Sequence, residues 1–433
     1  VQLSSLRPLG SRNFALVWSS ALVSNVGSWI QTVALGTLVT TTTHNTLWTA
    51  LVLAAGFLPM GVLAPIGGVL ADRLDRRRWL IVTTIAEAVF AIVLAVVVGL
   101  HHDPPWALVV LSFAGGASGA IGFPAYQAML PDLVERDDLL AAVALSSAQW
   151  NMGRVLGPAL AGLILVIWSP AVAFSINAAS FAAVIIALCF VSLPRRTRPK
   201  LAESIMGRLG DGARTAWAEP GCRSAILLIS VVGFLGSPFI GLIPALAING
   251  LHQRVGGPAV LTTFQGIGAV AGAMAIAPLA KRIGQHAVVI GALFAFCAAL
   301  VFYGASPVIL LAALGICAVG ATYIGVLSGL NGIVQLRAPE ASRARVLSLY
   351  MMALGTLYPI GLVVEGAIGQ QIGVRLVTVL SGALLAAALG LIALIRPEIL
   401  RSLRASGTPR GIDVFTPEVR EIDLGGTGTG IEP

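Results

Sequence analysis

Charge is scarce in this chain. Asp, Glu, Lys and Arg together make up 11% of its 433 residues, against about 25% in soluble domains. Apolar residues make up 57%. A water-soluble globule could not cover that much apolar surface with so few charges. Cysteine is nearly absent as well: Cys189, Cys222, Cys297 and Cys317 are the four. None has a neighbour at metal-binding or redox spacing, and three sit in apolar runs, where cysteine acts as a small hydrophobe. The sequence holds no phosphate-cradling G-x-x-x-x-G-K-[S/T] loop, no G-x-S-x-G elbow and no His/Cys cluster. His101 and His102 share one short loop and read as solvated. No catalytic residue, metal or cofactor is expected.

Long apolar runs are what the chain does have. Stretches such as Ala88–Leu100 and Leu380–Ile395 lack the apolar–polar alternation of a membrane barrel. They have the length of bilayer-crossing helices, which need about 20 apolar residues. Twelve spans are predicted: 13–39, 47–71, 79–100, 105–124, 141–168, 171–193, 224–248, 258–280, 287–304, 307–331, 346–368 and 374–395. Turn formers at His101–Pro105, Ser169-Pro170, Gly256–Pro258 and Ser306-Pro307 separate neighbours. The first apolar stretch, Phe14–Val39, is too long for the core of a signal peptide and runs on into the multispanning pattern. Forty-nine glycines suit membrane helices, where small residues let backbones approach.

The basic residues order these spans. With the N-terminus inside, the inner segments collect nearly all Lys and Arg, including Arg73, Arg76–Arg78, Arg195–Lys200, Lys281, Arg282, Arg343 and Arg345. Only Arg254 and Arg375 fall in outer loops, and Arg154 lies within span 5. This is the positive-inside pattern, and with twelve spans it places both termini in the cytoplasm. The net charge of +8 is therefore a topology signal and does not point to nucleic acid.

The longest inner loop divides the spans six and six. The expected organisation is a six-helix bundle over 1–193, a linker over 194–223, a second bundle over 224–396 and a polar, disordered tail over 397–433. Residues 201–217 read as a short helix lying on the membrane surface. The halves repeat weakly: Asp72-Arg73 ends span 2 and Lys281-Arg282 ends span 8, 209 residues later. Pro131-Asp132 follows span 4 and Pro339-Glu340 follows span 10, at an offset of 208. Two landmarks at nearly one offset indicate a parallel repeat about an axis along the membrane normal.

The segment Gly67–Arg78 carries the strongest local pattern. Its small residues suit tight packing of span 2. Asp72 can accept hydrogen bonds from a helix N-terminus or an arginine, giving a charged latch that breaks and reforms as two bundles rock. The segment resembles the loop 2–3 signature of the major facilitator superfamily, G-x-x-x-D-R-x-G-R-R. Gly68, Asp72, Arg73, Arg76 and Arg77 match it, and Asp75 stands where the family has glycine. In span 5, Gly153–Gly162 is similar to the G-P-x-x-G-G motif of proton-coupled drug exporters of that superfamily, through Gly157, Pro158 and Gly162. Ala161 replaces one glycine there. The stretches Ser24–Gln31, Phe123–Pro131 and Arg343–Tyr350 resemble bacterial exporters of the enterobactin and macrolide-efflux type.

The resemblance implies an all-α fold of two pseudo-symmetric six-helix bundles, working as a monomer in the bacterial inner membrane. It implies proton-coupled efflux of a small drug- or siderophore-like molecule by alternating access. Uptake of a metabolite or lysolipid by the same fold is the first alternative. A membrane-embedded enzyme or sensor without transport is the second. Charge within a membrane is costly and needs a partner or a task. Three residues raise that question: Glu87 in span 3, Arg154 in span 5 and Glu365 in span 11. Glu87 or Glu365 is expected to carry the coupling proton; a fixed ion pair between Glu87 and Arg154 is the alternative. Asn25, Gln31, Gln149, Asn151, Tyr323, Tyr350 and Tyr358 are candidates for the substrate cavity, each with interhelical hydrogen bonding as its other reading.

Overall fold

The computed structural model describes residues 3–191, 205–254, 256–340 and 342–404. Twelve helices in it are long and apolar enough to cross a membrane. They are span 1 (Arg12–Thr43), span 2 (Thr46–Arg73), span 3 (Arg76–Gly99), span 4 (Pro105–Asp132), span 5 (Arg136–Ile167), span 6 (Pro170–Phe190), span 7 (Pro220–Gly250), span 8 (Gly256–Ile283), span 9 (Gln285–Ala305), span 10 (Ile309–Arg337), span 11 (Arg343–Ile372) and span 12 (Val374–Ile395). No strand occurs among the described residues.

Local chemistry explains the helix ends. Asn45 caps span 2 by accepting from the Leu47 and Trp48 amides, and Asp75 caps span 3 by accepting from the Arg78 amide at 2.8 Å. Proline opens spans 4, 6 and 7, where its missing N–H is no loss. The turn into span 9 instead uses Gly284 at φ +86°, a backbone state that glycine adopts without strain. Asp75, at the equivalent place 209 residues earlier, has φ −68°. The departure from the family's glycine therefore leaves the loop 2–3 turn intact, because that turn never enters the left-handed region.

Two boundaries differ from the sequence reading. Span 7 begins at Pro220 and not near 224, because Glu219 caps it by accepting from the Cys222 amide at 2.6 Å and pairs with Arg337 at 3.2 Å. Pro397–Arg401 is helical and not disordered. Its end docks on span 7 through Ser402 Oγ to Ser224 Oγ at 2.8 Å, while Arg337 donates to the Ser402 carbonyl. The linker contains a helix at Ile205–Ala218, close to the expected 201–217. The basic run 194–200 and the tail from 405 lie outside the described residues.

Within the first six spans, span 2 packs on span 4, span 3 on spans 4 and 6, and span 1 on spans 5 and 6. Within the last six, span 10 packs on spans 8 and 9, and span 9 on span 12. The halves meet along two seams, span 2 against span 11 and span 5 against span 8. The repeat is visible in the packing itself. Gly116 of span 4 lies against the Gly56 carbonyl of span 2, with no room for a Cβ; Gly320 of span 10 lies in the same way against the Gln265 carbonyl of span 8. Many large apolar side chains on the spans are exposed, Met274, Val166 and Leu394 among them, which suits contact with lipid.

The seams are tight from mid-span to the end away from the arginines. Gly61 meets the Gly355 backbone, Gly366 meets Ala50, and the Thr46 amide donates to Gln370 Oε1 at 2.7 Å. Gly36 of span 1 faces Pro244 of span 7, and Gly162 faces Ala259. Near the arginine-rich end, a Cβ on Gly68 would meet nothing within 4 Å. The crevice between the halves is thus closed at the arginine-poor end.

Candidate functional site

Span 5 forms one wall of the crevice. Gly153 leaves room for Asn25 and Gly157 for Trp29, so spans 1 and 5 lie almost backbone to backbone. Pro158 lacks the N–H that would bond the carbonyl four residues back, and that carbonyl belongs to Arg154. Gly266 of span 8 comes up against this same carbonyl, where a Cβ would sit 2.8 Å from the oxygen. The motif's proline and the neighbouring half's glycine together set the seam at the level of Arg154.

The Arg154 side chain then projects over the Trp29 ring, with Cζ 5.7 Å from the ring centroid, a cation–π geometry. Its Nε is buried and makes no hydrogen bond. Tyr323 of span 10 is near enough to act on its charge. The Tyr323 hydroxyl shares a hydrogen bond with Ser237 at 2.9 Å, and its ring packs edge-on to Phe239 at 5.5 Å. Tyr358 of span 11 packs edge-on to Phe57 of span 2 at 5.5 Å, across the other seam. Its buried hydroxyl has no partner, and neither does the buried amide nitrogen of Gln265.

The two membrane carboxylates lie elsewhere. Glu87 packs its Oε1 against Gly119 of span 4, and no ion pair joins it to Arg154 among the described residues. Glu365 is 6% exposed, lies beside Ser381 of span 12, and leaves Oε1 unpartnered. Its chain neighbour Gly366 is the residue pressed against Ala50 on the span 2–11 seam.

Most of the amides expected to line a cavity hold helices together. Asn25 donates to the Trp150 carbonyl at 3.3 Å. Gln31 accepts from Asn177 at 2.8 Å, and Gln149 accepts from the Tyr126 hydroxyl at 3.4 Å. Asn151 donates to Ser147 one turn back on its own helix, and the Tyr350 hydroxyl donates to the Leu327 carbonyl at 3.0 Å.

In the loop 2–3 signature, two arginines brace the first half. Arg76 donates to the Ala128 carbonyl at 2.9 Å and pairs with Asp132 at 3.2 Å, holding the end of span 4. Arg77 donates to the Leu188 and Cys189 carbonyls at 2.6 and 2.8 Å, holding the end of span 6. Gly67 rather than Gly68 makes the tight contact, against the Ile121 carbonyl. A separate pocket of about 540 Å³ lies among spans 2, 4 and 11, lined by Leu58, Phe113, Pro359 and other apolar residues. It has no group able to recognise a polar cargo.

Residues 3–408 match the model of a family described as "Transmembrane secretion effector". The chain belongs to this family of the major facilitator superfamily. It is 26% identical over 417 residues to the multidrug efflux pump Tap of Mycolicibacterium fortuitum, covering 94% of this chain and 97% of that one. It is 26% identical to the enterobactin exporter EntS of Citrobacter koseri, covering 83% and 85%. Macrolide efflux protein A of Streptococcus pyogenes is 22% identical, covering 86% and 93%. In fold, the chain resembles the crystal structure of a bacterial homologue of the human lysosomal transporter Spinster, with a TM-score of 0.73 at 14% identity over 92% of this chain and 98% of that one.

Against this family background, Arg154, Tyr323 and Tyr358 stand out in the sequence, whereas Trp29, Ser237 and Phe57 do not. Trp29 was in view inside the Ser24–Gln31 stretch, yet only the fold places it under a guanidinium. Ser237 and Phe57 carry no motif. Ser237 follows a π-helical turn at Val232–Gly236, for which the adjoining Pro238 was the available signal.

Proposed function

We propose that this protein is a secondary active exporter that moves a small molecule out of a bacterial cell through the crevice between its halves. The observation that carries this reading is the pair of glycine-lined seams. They bring the halves into close contact from mid-span to one end of the crevice and leave Gly68 open near the other. A fold of two repeated bundles packed this way can rock about a midplane site. The full-length similarity to proteins named as efflux pumps supports the export direction. The arginine-rich end is then cytoplasmic, with both termini on that side, and the single chain contains both halves of the pathway.

Proton flow drives the cycle in this reading, and Glu365 is the carrier. It is buried, it has an unpartnered oxygen, and it stands beside the Gly366–Ala50 contact of the seam that must open. Neutralising or ionising this carboxyl changes its need for solvent, and span 11 answers by moving against span 2. Glu87, away from both seams, serves as a local contact between spans 3 and 4. The decisive measurement is pH-gradient-driven flux in proteoliposomes with ethidium, a macrolide and a catecholate siderophore. Wild-type protein is expected to move at least one of them, Glu365→Gln to lose gradient dependence, and Glu87→Gln to keep it. Gradient-driven flux that survives in Glu365→Gln removes this residue from the mechanism.

A further inference from the structure

Arg154 is a permanent cation held within the membrane-spanning part of the protein with no acid beside it. Neither a carboxylate nor a backbone carbonyl accepts from its guanidinium among the described residues, and its Nε is buried without a partner. Its companions are the Trp29 ring and the neutral phenol of Tyr323. A buried cation of this kind is stable only with compensation. The cation–π contact supplies part of it, and the fork of N–H donors that suits a carboxylate makes no hydrogen bond among the described residues.

The groups nearby have matching chemistry. Gln265 adjoins Gly266, which packs on the Arg154 backbone, and the Gln265 amide nitrogen is an unpartnered donor on a residue 2% exposed. Tyr358, 7% exposed, adds an unpartnered hydroxyl and lies within electrostatic reach of Tyr323. The neighbourhood of Arg154 thus gathers two unused donors, a fixed positive charge and the aromatic face of Trp29. The membrane carboxylates, Glu87 and Glu365, sit against Gly119 and Ser381 instead.

We propose that the crevice recognises aromatic carboxylates, with Arg154 forking onto the carboxylate of the cargo, the Trp29 ring beside its aromatic body, and Gln265 and Tyr358 donating alongside. The inference rests on the crevice being the cargo site and names the class of molecule it takes. A bidentate guanidinium–carboxylate contact in a dry site is directional and strong. An organic cation would meet Arg154 with no acid to offset the repulsion.

Binding and flux separate this proposal from the transport reading. Isothermal titration of the purified full-length protein would use 2-naphthoate and 2,3-dihydroxybenzoate against the corresponding neutral amides. Wild-type protein is expected to bind each acid about 10- to 100-fold more tightly than its amide, the range for a charge-assisted hydrogen bond. Arg154→Gln should erase the preference, and Arg154→Lys should keep part of it. Equal affinity for acid and amide in the wild type overturns the proposal without reference to any variant. An unchanged preference in a folded Arg154→Gln protein overturns it too. If the acids bind selectively but no ion gradient drives their flux, the anion site stands and the transport reading fails. If gradients drive ethidium while the acids do not bind, transport stands and the anion site fails.

Discussion

Where spans 2 and 4 cross, Gly116 lies on the carbonyl of Gly56; where spans 8 and 10 cross, Gly320 lies on the carbonyl of Gln265. Around these matching crossings the two halves are bonded differently. In the first half, Gln31–Asn177, Asn25–Trp150 and Tyr126–Gln149 tie spans together with amides and a phenol, and Arg76 and Arg77 fasten two helix ends. Its apolar residues fall into three separate clusters. The second half buries one continuous cluster that includes Phe239, Phe296, Tyr303 and Tyr323. Lipid is as apolar as leucine, so that cluster gains stability from contact and fit and not from escape from water. Directional bonds fix helix register, whereas dispersion contacts tolerate small slides. The irregular span, with π turns at Val232–Gly236 and Leu246–Gly250, lies in the second half. The second half has cross-span bonds of its own, Tyr323–Ser237, Tyr350–Leu327 and Arg337–Glu219, but its π turns have no counterpart among the described residues of the first half. The first half is therefore expected to act as the rigid reference, and span 7 to deform when the seams open.

The largest effects should come from the seams. Gly61 of span 2 sits with its Cβ position 2.5 Å from the Gly355 carbonyl carbon, so Gly61→Leu forces backbones apart. Overpacking of this kind costs about 1–3 kcal/mol or more. Folded yield in detergent, read by size-exclusion chromatography, should fall several-fold. Gly68→Leu has open space in this conformation and should fold normally. It should nevertheless reduce transport if the opposite conformation closes the arginine-rich end over span 2. Equal loss of folded yield in both variants would mean that this end also packs in the resting protein, and the rigid-and-deforming picture would lose its open end.

A smaller effect distinguishes the bonding of the halves. Asn177→Ala removes the Gln31 partner in the first half, and Tyr350→Phe removes the Leu327 partner in the second. Interhelical hydrogen bonds in membranes contribute about 0.6–2 kcal/mol each. Asn177→Ala should cost about 1–2 kcal/mol, because it leaves the partly buried Gln31 amide oxygen unpaired and removes a buried side chain. Tyr350→Phe should cost about 1 kcal/mol or less, since the ring still fills its site. Reversible unfolding of the purified variants checks the order; the reverse order would place the directional bonding in the wrong half.

The sequence displayed the fold far more plainly than the site. Apolar runs bounded by Pro105, Pro170 and Gly256 define spans because lipid leaves an exposed backbone no other partner. Span 7 was harder to bound: Arg223 looked like loop, yet it follows a cap built by Glu219. Arg154 could be picked out because a mid-span arginine is rare. Its partner could not, since a tryptophan under a guanidinium looks in sequence like any other aromatic on a membrane helix. The amides failed for a related reason. Asn25, Gln31 and Gln149 have the same composition whether they face cargo or a neighbouring helix, and only tertiary placement separates the two roles.

The smallest effect tests the asymmetry at the helix ends. Arg76 and Asp132 form an ion pair in the first half; the positions at the same offsets in the second half hold Gln285 and Glu340. The Gln285 amide nitrogen is buried without a partner, and Glu340 is exposed. A double-mutant cycle on Arg76→Gln and Asp132→Asn should give a coupling energy of about 0.5–1 kcal/mol, since the pair is only partly buried and is screened by salt. Arg76→Gln alone should cost more than Asp132→Asn alone, because Arg76 also donates to the Ala128 carbonyl. The matching cycle on Gln285→Ala and Glu340→Ala should give a coupling near zero. A second-half coupling as large as the first would show that the two helix-end braces are equivalent. The rigidity of the first half would then rest on its buried amides alone.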